Sequence, residues 1–419
     1  MGNTLVLNKP HKLLSWLLAF FFVASPCDYV MPHFGAATVL WLLGLIISIF
    51  CVMDLMLFGN KKFVVTTDNS YLLFLSVFAI ISMLWAEEFV RAQNALVSFI
   101  SVAAMYFMLF LYKFTEKDIK RIEYASIIGG FIMIYYVFTQ VDLDRVMAGF
   151  RLDFDTIATD DSSSFSDPNG LSARLMMPLV FSFKYFFESK KLWQKLICIA
   201  EIGGIVYIMF LTGSRAAVIT LALVVFIVLF KNLSGKRAGT ALVMIFGVII
   251  ALLIFPGLLP EHIYNRIFNF AKYQEVMTYE GDRIDVWKNA ITQVFPKSPI
   301  FGSGIGNSSV ALREVYGKIK AVHSSWLVFL IELGLFGFVF WMSFVIGKIK
   351  LSFKLNSKSI YPVVITLAVI VMATTLDGQR EKYLWNTFLY SHMLYTSYYA
   401  TTFEDQNKRL TQNEDGDSK

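Results

Sequence analysis

ATVLWLLGLIISIFCVMDLMLF, residues 37–58, decides the fold class of this chain. The stretch contains a single charged side chain, that of Asp54. A helix needs about 20 consecutive, mostly apolar residues to cross the hydrocarbon core of a bilayer. The stretch therefore predicts a transmembrane helix.

Similar apolar runs recur along the chain. Of its 419 residues, 56% are hydrophobic and only 16% are charged, and its mean hydropathy of +0.59 is too high for a soluble protein. The pattern predicts an all-α integral membrane protein with about 12 transmembrane helices. The predicted spans cover about residues 13–25, 37–58, 71–86, 95–112, 122–139, 170–187, 196–212, 215–230, 239–256, 325–347, 361–376 and 385–401.

The positive charges predict the orientation of these spans. Lysine and arginine cluster in every second loop, and such loops face the cytoplasm. Both termini are therefore predicted to be cytoplasmic, with residues 1–403 forming one transmembrane domain and residues 404–419 a disordered cytoplasmic tail. The clusters are Lys9/Lys12, Lys61/Lys62, Lys113/Lys117/Lys120/Arg121, Lys190/Lys191/Lys195, Lys231/Lys236/Arg237, Lys348/Lys350/Lys354/Lys358 and Lys408/Arg409.

One long loop, at about residues 257–324, is predicted on the periplasmic side. Within it, DRIDVWKNAITQVF (282–295) places apolar residues at helical spacing, which predicts an amphipathic helix that lies on the membrane surface or caps the bundle. FGSGIGN (301–307) is predicted to be a glycine-rich loop before the next span. A loop of this length in a compact bundle is usually functional.

Arginines on the predicted outer side are the first candidates for a site. Arg215 is the last residue of a very short turn, TGSR (212–215). It could extend towards water from a helix end, or it could bind an anion together with free N–H groups of the next helix. Arg283 and Arg174 are similar candidates, and Arg266 and Arg380 lie on the same side. Neighbouring acids, Glu280 and Asp282 for Arg283 and Asp167 for Arg174, offer a purely structural alternative.

His323 and Glu332 belong to HSSWLVFLIELG (323–334), at the start of the tenth predicted span. His323 could act as a general base near neutral pH, or be an interfacial structural residue. Glu332 lies nine residues further, which places it about 13 Å deeper in a helix and on another face. We therefore expect no His–Glu dyad and interpret Glu332 as a buried polar contact to a neighbouring helix.

Several common types of catalytic site have no motif in this chain. The sequence lacks a P-loop, an H-E-x-x-H motif and a G-x-S-x-G motif, and GSGIG lacks the βαβ context of a dinucleotide site. Three scattered cysteines and outer carboxylates show no spacing typical of a metal site. We expect no cofactor and no metal.

Four motifs in order resemble the O-antigen ligase/polymerase superfamily of bacterial membrane glycosyltransferases. They are LTGSRAAVI, DRIDVW, P-x-F-G-S-G-I-G-N and H-S-S-W-L-V-F-L-I-E-L-G, within about residues 200–345, and SDPNGLSARLMMPLVF resembles a further element. The ligase pattern of arginine, three residues and leucine falls on Arg215, with Ile219 replacing leucine. The pattern of histidine, ten residues and glycine falls on His323 and Gly334, and the second loop arginine falls on Arg283. Ser324 stands where many members have asparagine.

The resemblance implies a GT-C-like fold and metal-independent transfer of a glycan from undecaprenyl pyrophosphate to an acceptor hydroxyl. The site would face the periplasm at the bacterial inner membrane. Arg215, Arg283 and Arg174 would bind pyrophosphate, His323 would be the catalytic base with Arg215 beside it, and Glu332 and Gly334 would be structural. The expected partners are the lipid-linked donor, the glycan acceptor and membrane lipids, without nucleic acid.

Three functions stay open at this point. A ligase would attach the finished glycan to lipid A-core, and a polymerase would join repeat units on the lipid carrier. A transporter of lipid-linked sugar would use the same arginines without needing His323 as a base. The histidine–glycine spacing favours the ligase.

Overall fold

The computed structural model describes residues 5–31, 33–34, 37–57, 62, 66–141, 146, 152, 168–232, 261–268 and 283–402. The described residues are about 81% helical with almost no sheet, which confirms the predicted all-α class. The described α-helices are α1 Lys12–Ala24, α2 Val39–Leu57, α3 Thr67–Ser82, α4 Phe89–Leu109, α5 Glu116–Gln140, α6 Pro168–Glu188, α7 Leu192–Leu211, α8 Arg215–Asn232, α9 Glu261–Phe268, α10 Arg283–Asn289, α11 Ser308–Ala311, α12 Arg313–Tyr316, α13 Ser325–Lys354, α14 Tyr361–Thr374 and α15 Lys382–Tyr399.

Short elements connect and close these helices. Strand β1 (Val6–Leu7) pairs in parallel with β4 (Thr401–Thr402), so the two ends of the described chain meet. Strands β2 (His33–Phe34) and β3 (Ala37–Thr38) form an antiparallel pair before α2. The 3-10 turns are Ser25–Val30, Met83–Trp85, Phe295–Lys297 and Gly378–Arg380, and a π-helical turn covers Ala290–Val294.

The helices confirm a multi-pass membrane protein. Seven of the described helices are long and apolar enough to cross a bilayer, namely α2, α3 with its 3-10 extension, α4, α5, α7, α8 and α13. Each predicted span within the described residues coincides with a helix, and the span predicted at 239–256 lies outside them. Twelve spans, the cytoplasmic termini and the single domain of 1–403 stay predictions, and the predicted tail also lies outside the described residues.

Aromatic side chains fill the centre of the bundle. The ring of Trp341 on α13 is tilted against that of Trp385 on α15, with centroids 6.0 Å apart, and it packs edge to face with Phe329, with centroids 5.0 Å apart. All three are fully buried. Because aromatic rings bury large apolar areas, this cluster fixes α13 against α15.

Helix α13 is broken at Gly334, which the prediction of one continuous span did not foresee. Gly334 has φ 60° and ψ −168°, a conformation open to glycine alone. Segment 299–304 satisfies the backbone groups that the break frees. Ser303 and Gly304 donate N–H groups to the carbonyls of Ile331 and Glu332 at 2.8 and 2.9 Å, and the N–H groups of Leu335 and Phe336 donate to Pro299 and Ile300 at 2.8 and 3.1 Å.

The glycine-rich loop can take this path because it lacks side chains at the crossings. A Cβ on Gly302 would lie 2.4 Å from the Glu332 carbonyl oxygen, and one on Gly334 would lie 2.3 Å from that of Ile300. Further along the loop, Asn307 accepts a hydrogen bond from the Glu88 N–H at 2.8 Å. The loop is thus fixed between α13 and the turn that joins α3 to α4.

The predicted amphipathic segment packs on the bundle. Its α-helix runs from Arg283 to Asn289, and a π-helical turn continues it to Val294, so helical structure covers most of the predicted segment. Val286, Ala290 and Val294 form a second apolar cluster with residues such as Val328 on α13. Ile284 and Ile291 of the same segment are exposed and form a second apolar stripe.

Candidate active site

The turn 375–380 fixes the start of α13, just after His323. The Ser324 N–H donates to Asp377 Oδ1 at 3.0 Å. Ser325 Oγ donates to the Leu376 carbonyl and accepts the Gly378 N–H, both at 2.7 Å. These bonds satisfy donors at a helix start that would otherwise lack partners. We call the end of the bundle that carries this turn the outer end.

His323 lies directly above this turn in a strained conformation. It is half-buried, and its φ of 52° falls in the left-handed region that costs a non-glycine residue about 1 kcal/mol or more. Such strain persists only where surrounding contacts impose it. Here the bonds of Ser324 and Ser325 hold the backbone directly after His323.

Asp377 interacts electrostatically with His323, and sequence reasoning missed it. Burial by the surrounding protein raises the pKa of the Asp377 carboxyl, although His323, the Ser324 N–H and Arg380 each lower it. The residue as a whole still keeps exposed surface. A carboxylate in this place can stabilise a protonated imidazole.

Arg283 reaches the same turn from α10. Its Nη1 donates to the Thr375 carbonyl at 3.1 Å. On the same helix, Trp287 Nε1 donates to the carbonyl of Val322, the residue before His323, at 2.9 Å. Helix α10 therefore brings Arg283 and His323 to one place, and it does so through backbone acceptors. The acids Glu280 and Asp282 lie outside the described residues.

Glu332 is buried, and the short helix α11 and the turn 375–380 hold its carboxylate. Its carboxylate accepts two hydrogen bonds from Arg380 Nη2, at 2.9 and 3.1 Å, and one from Ser308 Oγ at 2.9 Å. Arg380 Nε is buried and has no partner among the described residues. Glu332 and His323 thus belong to one network through the turn 375–380, although they do not form a dyad.

Arg215 begins α8 after the turn in which Gly213 has φ 58°. Arg215 is exposed, and Arg266 from α9 donates its Nε to the Gly213 carbonyl at 3.1 Å. Arg266, which was a candidate only because of its predicted side of the membrane, therefore lies next to the turn that contains Arg215. Two guanidinium groups near a helix start favour anions.

The pairing of α8 with α14 places Arg215 at the outer end too. The two helices pack side by side, and the Tyr361 hydroxyl lies 3.5 Å from the Asn232 side chain where α14 begins and α8 ends. The helices are therefore antiparallel. Their lengths are about 27 and 21 Å at 1.5 Å per residue, so Arg215 and Thr375 lie near the same level on neighbouring helices.

Arg174 is already paired with acids. Its Nη1 lies 3.0 Å from Asp28 Oδ2, and its Nη2 donates to Glu381. Burial would raise the pKa of Asp28, but Arg174 and Lys382 outweigh it and lower that pKa. These ion pairs connect α6 to the segment that follows the turn 375–380. Asp167, the partner suggested by the sequence, lies outside the described residues.

The described part of the chain contains no group of three or more His, Cys, Asp or Glu side chains that could hold a metal ion. The acidic stretch 142–161, which supplies most outer carboxylates, lies almost entirely outside that part. Metal independence therefore stays a prediction.

Comparison with known families gives a match to part of the chain. A family model described as O-Antigen ligase matches residues 202–342, close to the predicted 200–345, and confirms the resemblance to the O-antigen ligase/polymerase superfamily. The matched residues include Arg215, Arg283, His323 and Gly334, and they end before Asp377. The match and the apolar helices fit a transmembrane protein of lipopolysaccharide biosynthesis. No curated protein matches the chain.

Proposed function

Since residues 202–342 carry an O-antigen ligase domain, we propose that this protein transfers a glycan from undecaprenyl pyrophosphate to a hydroxyl of lipid A-core. The observation that carries the proposal is the meeting of His323, Asp377 and Arg283 at the turn 375–380, with Arg215 at the same end of the adjacent helix. A base with its carboxylate and two fixed cations is the set of groups that this transfer needs.

His323 would take the proton from the acceptor hydroxyl. The acceptor oxygen would then bond to the anomeric carbon as the bond from that carbon to the pyrophosphate oxygen breaks. Asp377 would stabilise the imidazolium that forms. A general base of this kind contributes about 10²–10⁴ to a rate.

Arg215 and Arg283 would neutralise the leaving pyrophosphate, whose negative charge grows as the bond breaks. Guanidinium groups suit this role because their planar donors match phosphate oxygens in pairs. Arg174 would need to give up Asp28 and Glu381 to join them, so we assign it to holding the outer end together.

The broken helix would make the site rigid. Glu332 and the backbone around Gly334 hold the loop 299–307 and Arg380 in place. Since α10 precedes that loop directly, the same contacts would keep Arg283 near His323. The periplasm is the proposed location of this end, on the basis of the lysine- and arginine-rich alternate loops.

A polymerase that joins lipid-linked repeat units is the second candidate. The replacement of the family's frequent asparagine by Ser324 suits it, although the contact to Asp377 uses the Ser324 backbone and would survive either side chain. Transport of a lipid-linked sugar is the third candidate, and it would not need the His323–Asp377 pair.

The lipopolysaccharide of a deletion strain separates these functions. Loss of O-antigen from the core, with long chains accumulating on undecaprenyl pyrophosphate, supports the ligase. Core carrying a single repeat indicates the polymerase. Lipid-linked units that accumulate without polymerisation on the cytoplasmic side would indicate a transporter and would contradict the proposal.

A further inference from the structure

A second polar site lies near the opposite end of α13 from His323. A cavity of about 230 Å³ opens there between α13, α15 and the start of α3. Its lining includes Lys348, His392 and Asp68. Lys348 and His392 lie beyond residues 202–342, Asp68 lies before them, and none takes part in the proposed transfer.

Lys348 places an incompletely paired ammonium at this cavity. Its side chain is 1% exposed, and its Nζ lies 3.9 Å from Asp68 Oδ2, beyond hydrogen-bond distance. The ring of Phe110 lies at a similar distance, with its centroid 4.0 Å from Nζ. No acceptor from the described residues forms a hydrogen bond with this group. A buried ammonium in this state is stabilised strongly by an added anion.

His392 supplies a second group without a partner. The residue is 3% exposed, and its Nε2 has no hydrogen-bond partner among the residues that the structure describes. It lines the same cavity as Lys348. Buried polar atoms nearly always have partners, so an unpaired imidazole nitrogen at a cavity indicates a missing one.

Helix α3 brings both a positive end of its dipole and a negative side chain to the cavity. Its first turn, capped by Thr66, points the positive end of the helix dipole at the cavity. Asp68 lies in that turn, and its side chain is 29% exposed. A Cβ on Gly347 would come within 2.5 Å of Asp68 Oδ1, so the glycine makes room for the carboxylate beside Lys348.

We propose that this cavity binds a phosphate ester that carries an amine, the phosphoethanolamine group. Lys348, the protonated imidazole of His392 and the N–H groups at the start of α3 would donate hydrogen bonds to the phosphate oxygens, and Asp68 would accept hydrogen bonds from the ammonium. Asp68 disfavours a plain anion in the same space, which is why a zwitterion fits better than inorganic phosphate. Leu351 and Tyr395 add apolar surface beside it. A membrane lipid and a soluble ester both present this group.

Native mass spectrometry of the full chain in detergent tests this proposal. Phosphatidylethanolamine should be retained more strongly than phosphatidylglycerol, which lacks an amine, and phosphatidylcholine, whose quaternary amine cannot donate a hydrogen bond. Lys348→Met should weaken retention about tenfold, since it removes a charge-assisted contact. Lys350→Met, at an exposed lysine two residues away, should retain the lipid as the wild type does.

A second variant and a soluble probe keep the test decisive. Asp68→Asn should abolish the preference for phosphatidylethanolamine over phosphatidylglycerol while leaving phosphate binding, and its thermal unfolding should stay close to that of the wild type. Competition by phosphoethanolamine in water at concentrations similar to the lipid's would assign the site to a soluble ester. Equal retention of all three lipids by the wild type and by Lys348→Met, with no binding of phosphoethanolamine, would overturn the proposal.

Discussion

Two groups of charged residues differ in how completely they are paired. Inside the bundle, the Glu123 carboxylate accepts hydrogen bonds from Lys184 at 2.7 and 2.9 Å and from the hydroxyls of Tyr185 and Tyr390, both at 2.7 Å. At the outer turn 375–380, Asp377 keeps exposed surface, and Arg380 Nε has no partner among the described residues. The first group is closed by protein atoms, whereas the second has an exposed acidic residue and a buried donor without a partner among the described residues.

This difference in pairing predicts which charged residues serve stability and which serve function. A buried charge that is fully hydrogen-bonded within the protein has no capacity left for a substrate, and breaking it mainly costs folding free energy. A strained His323 beside an accessible Asp377 costs folding free energy in the native state, and such strain clusters at functional sites. Variants at the outer turn should therefore change transfer, and variants around Glu123 should change stability.

The largest effect on transfer is expected for His323→Ala. Without the base, glycan transfer should fall about 10²–10⁴-fold, since no other group would take the acceptor's proton. The measurement is in vitro transfer from a lipid-linked donor, together with thermal unfolding in the same detergent. His11→Ala, which removes a histidine that caps α1 far along the chain, is the matched control and should keep its activity. Undiminished transfer by His323→Ala would eliminate the base.

Arg215→Lys and Arg283→Lys should each lower transfer about 10- to 100-fold. Lysine keeps the charge but loses the two-pronged geometry that phosphate oxygens require. The loss should appear in the turnover rate with saturating donor as well as at low donor concentration. Arg313→Lys serves as the control, because Arg313 is another loop arginine, paired with Glu87 and Glu88. A loss equal in all three variants would argue against a pyrophosphate role.

Asp377→Asn should lower transfer about tenfold, which is a smaller effect than that expected for Arg215→Lys or Arg283→Lys. Asparagine can still accept the Ser324 N–H, so the turn and the fold should persist, but it cannot stabilise a charged imidazole. Transfer rates measured beside unfolding temperatures will separate the two roles. If the unfolding temperature falls and the rate per folded molecule does not, Asp377 is a structural residue only.

The sequence predicted the helices well, because long apolar runs leave a membrane chain few alternatives. The sequence also identified Arg215, Arg283 and His323 as candidates, each from a short motif on the predicted periplasmic side of the membrane. It could not find Asp377, since a lone aspartate in a polar turn is unremarkable until the turn is known to contact Ser324. The available signal for Asp377 was its position between two predicted spans and close to Arg380 in the sequence.

The break at Gly334 shows a second limit. Hydropathy runs through Glu332 and Gly334 without interruption, so the sequence predicted one straight span. The break depends on segment 299–304, some thirty residues earlier, which supplies hydrogen bonds to both halves of the helix. Non-local backbone pairing of this kind leaves no periodic pattern in the sequence. The unexpected partners of Glu332 have the same origin.

The smallest effect on transfer is expected for Glu123→Gln, which should change the rate per folded molecule less than about twofold. The variant leaves the Lys184 ammonium without its anion in a buried place, so the free energy of unfolding should fall by about 3 kcal/mol. Thermal unfolding in detergent and transfer normalised to folded protein measure the two quantities. Glu116→Gln, at an exposed acid on the same helix as Glu123, should change neither. If Glu123→Gln instead lowers transfer as much as His323→Ala does, then complete hydrogen bonding by protein atoms does not identify a purely structural group of residues.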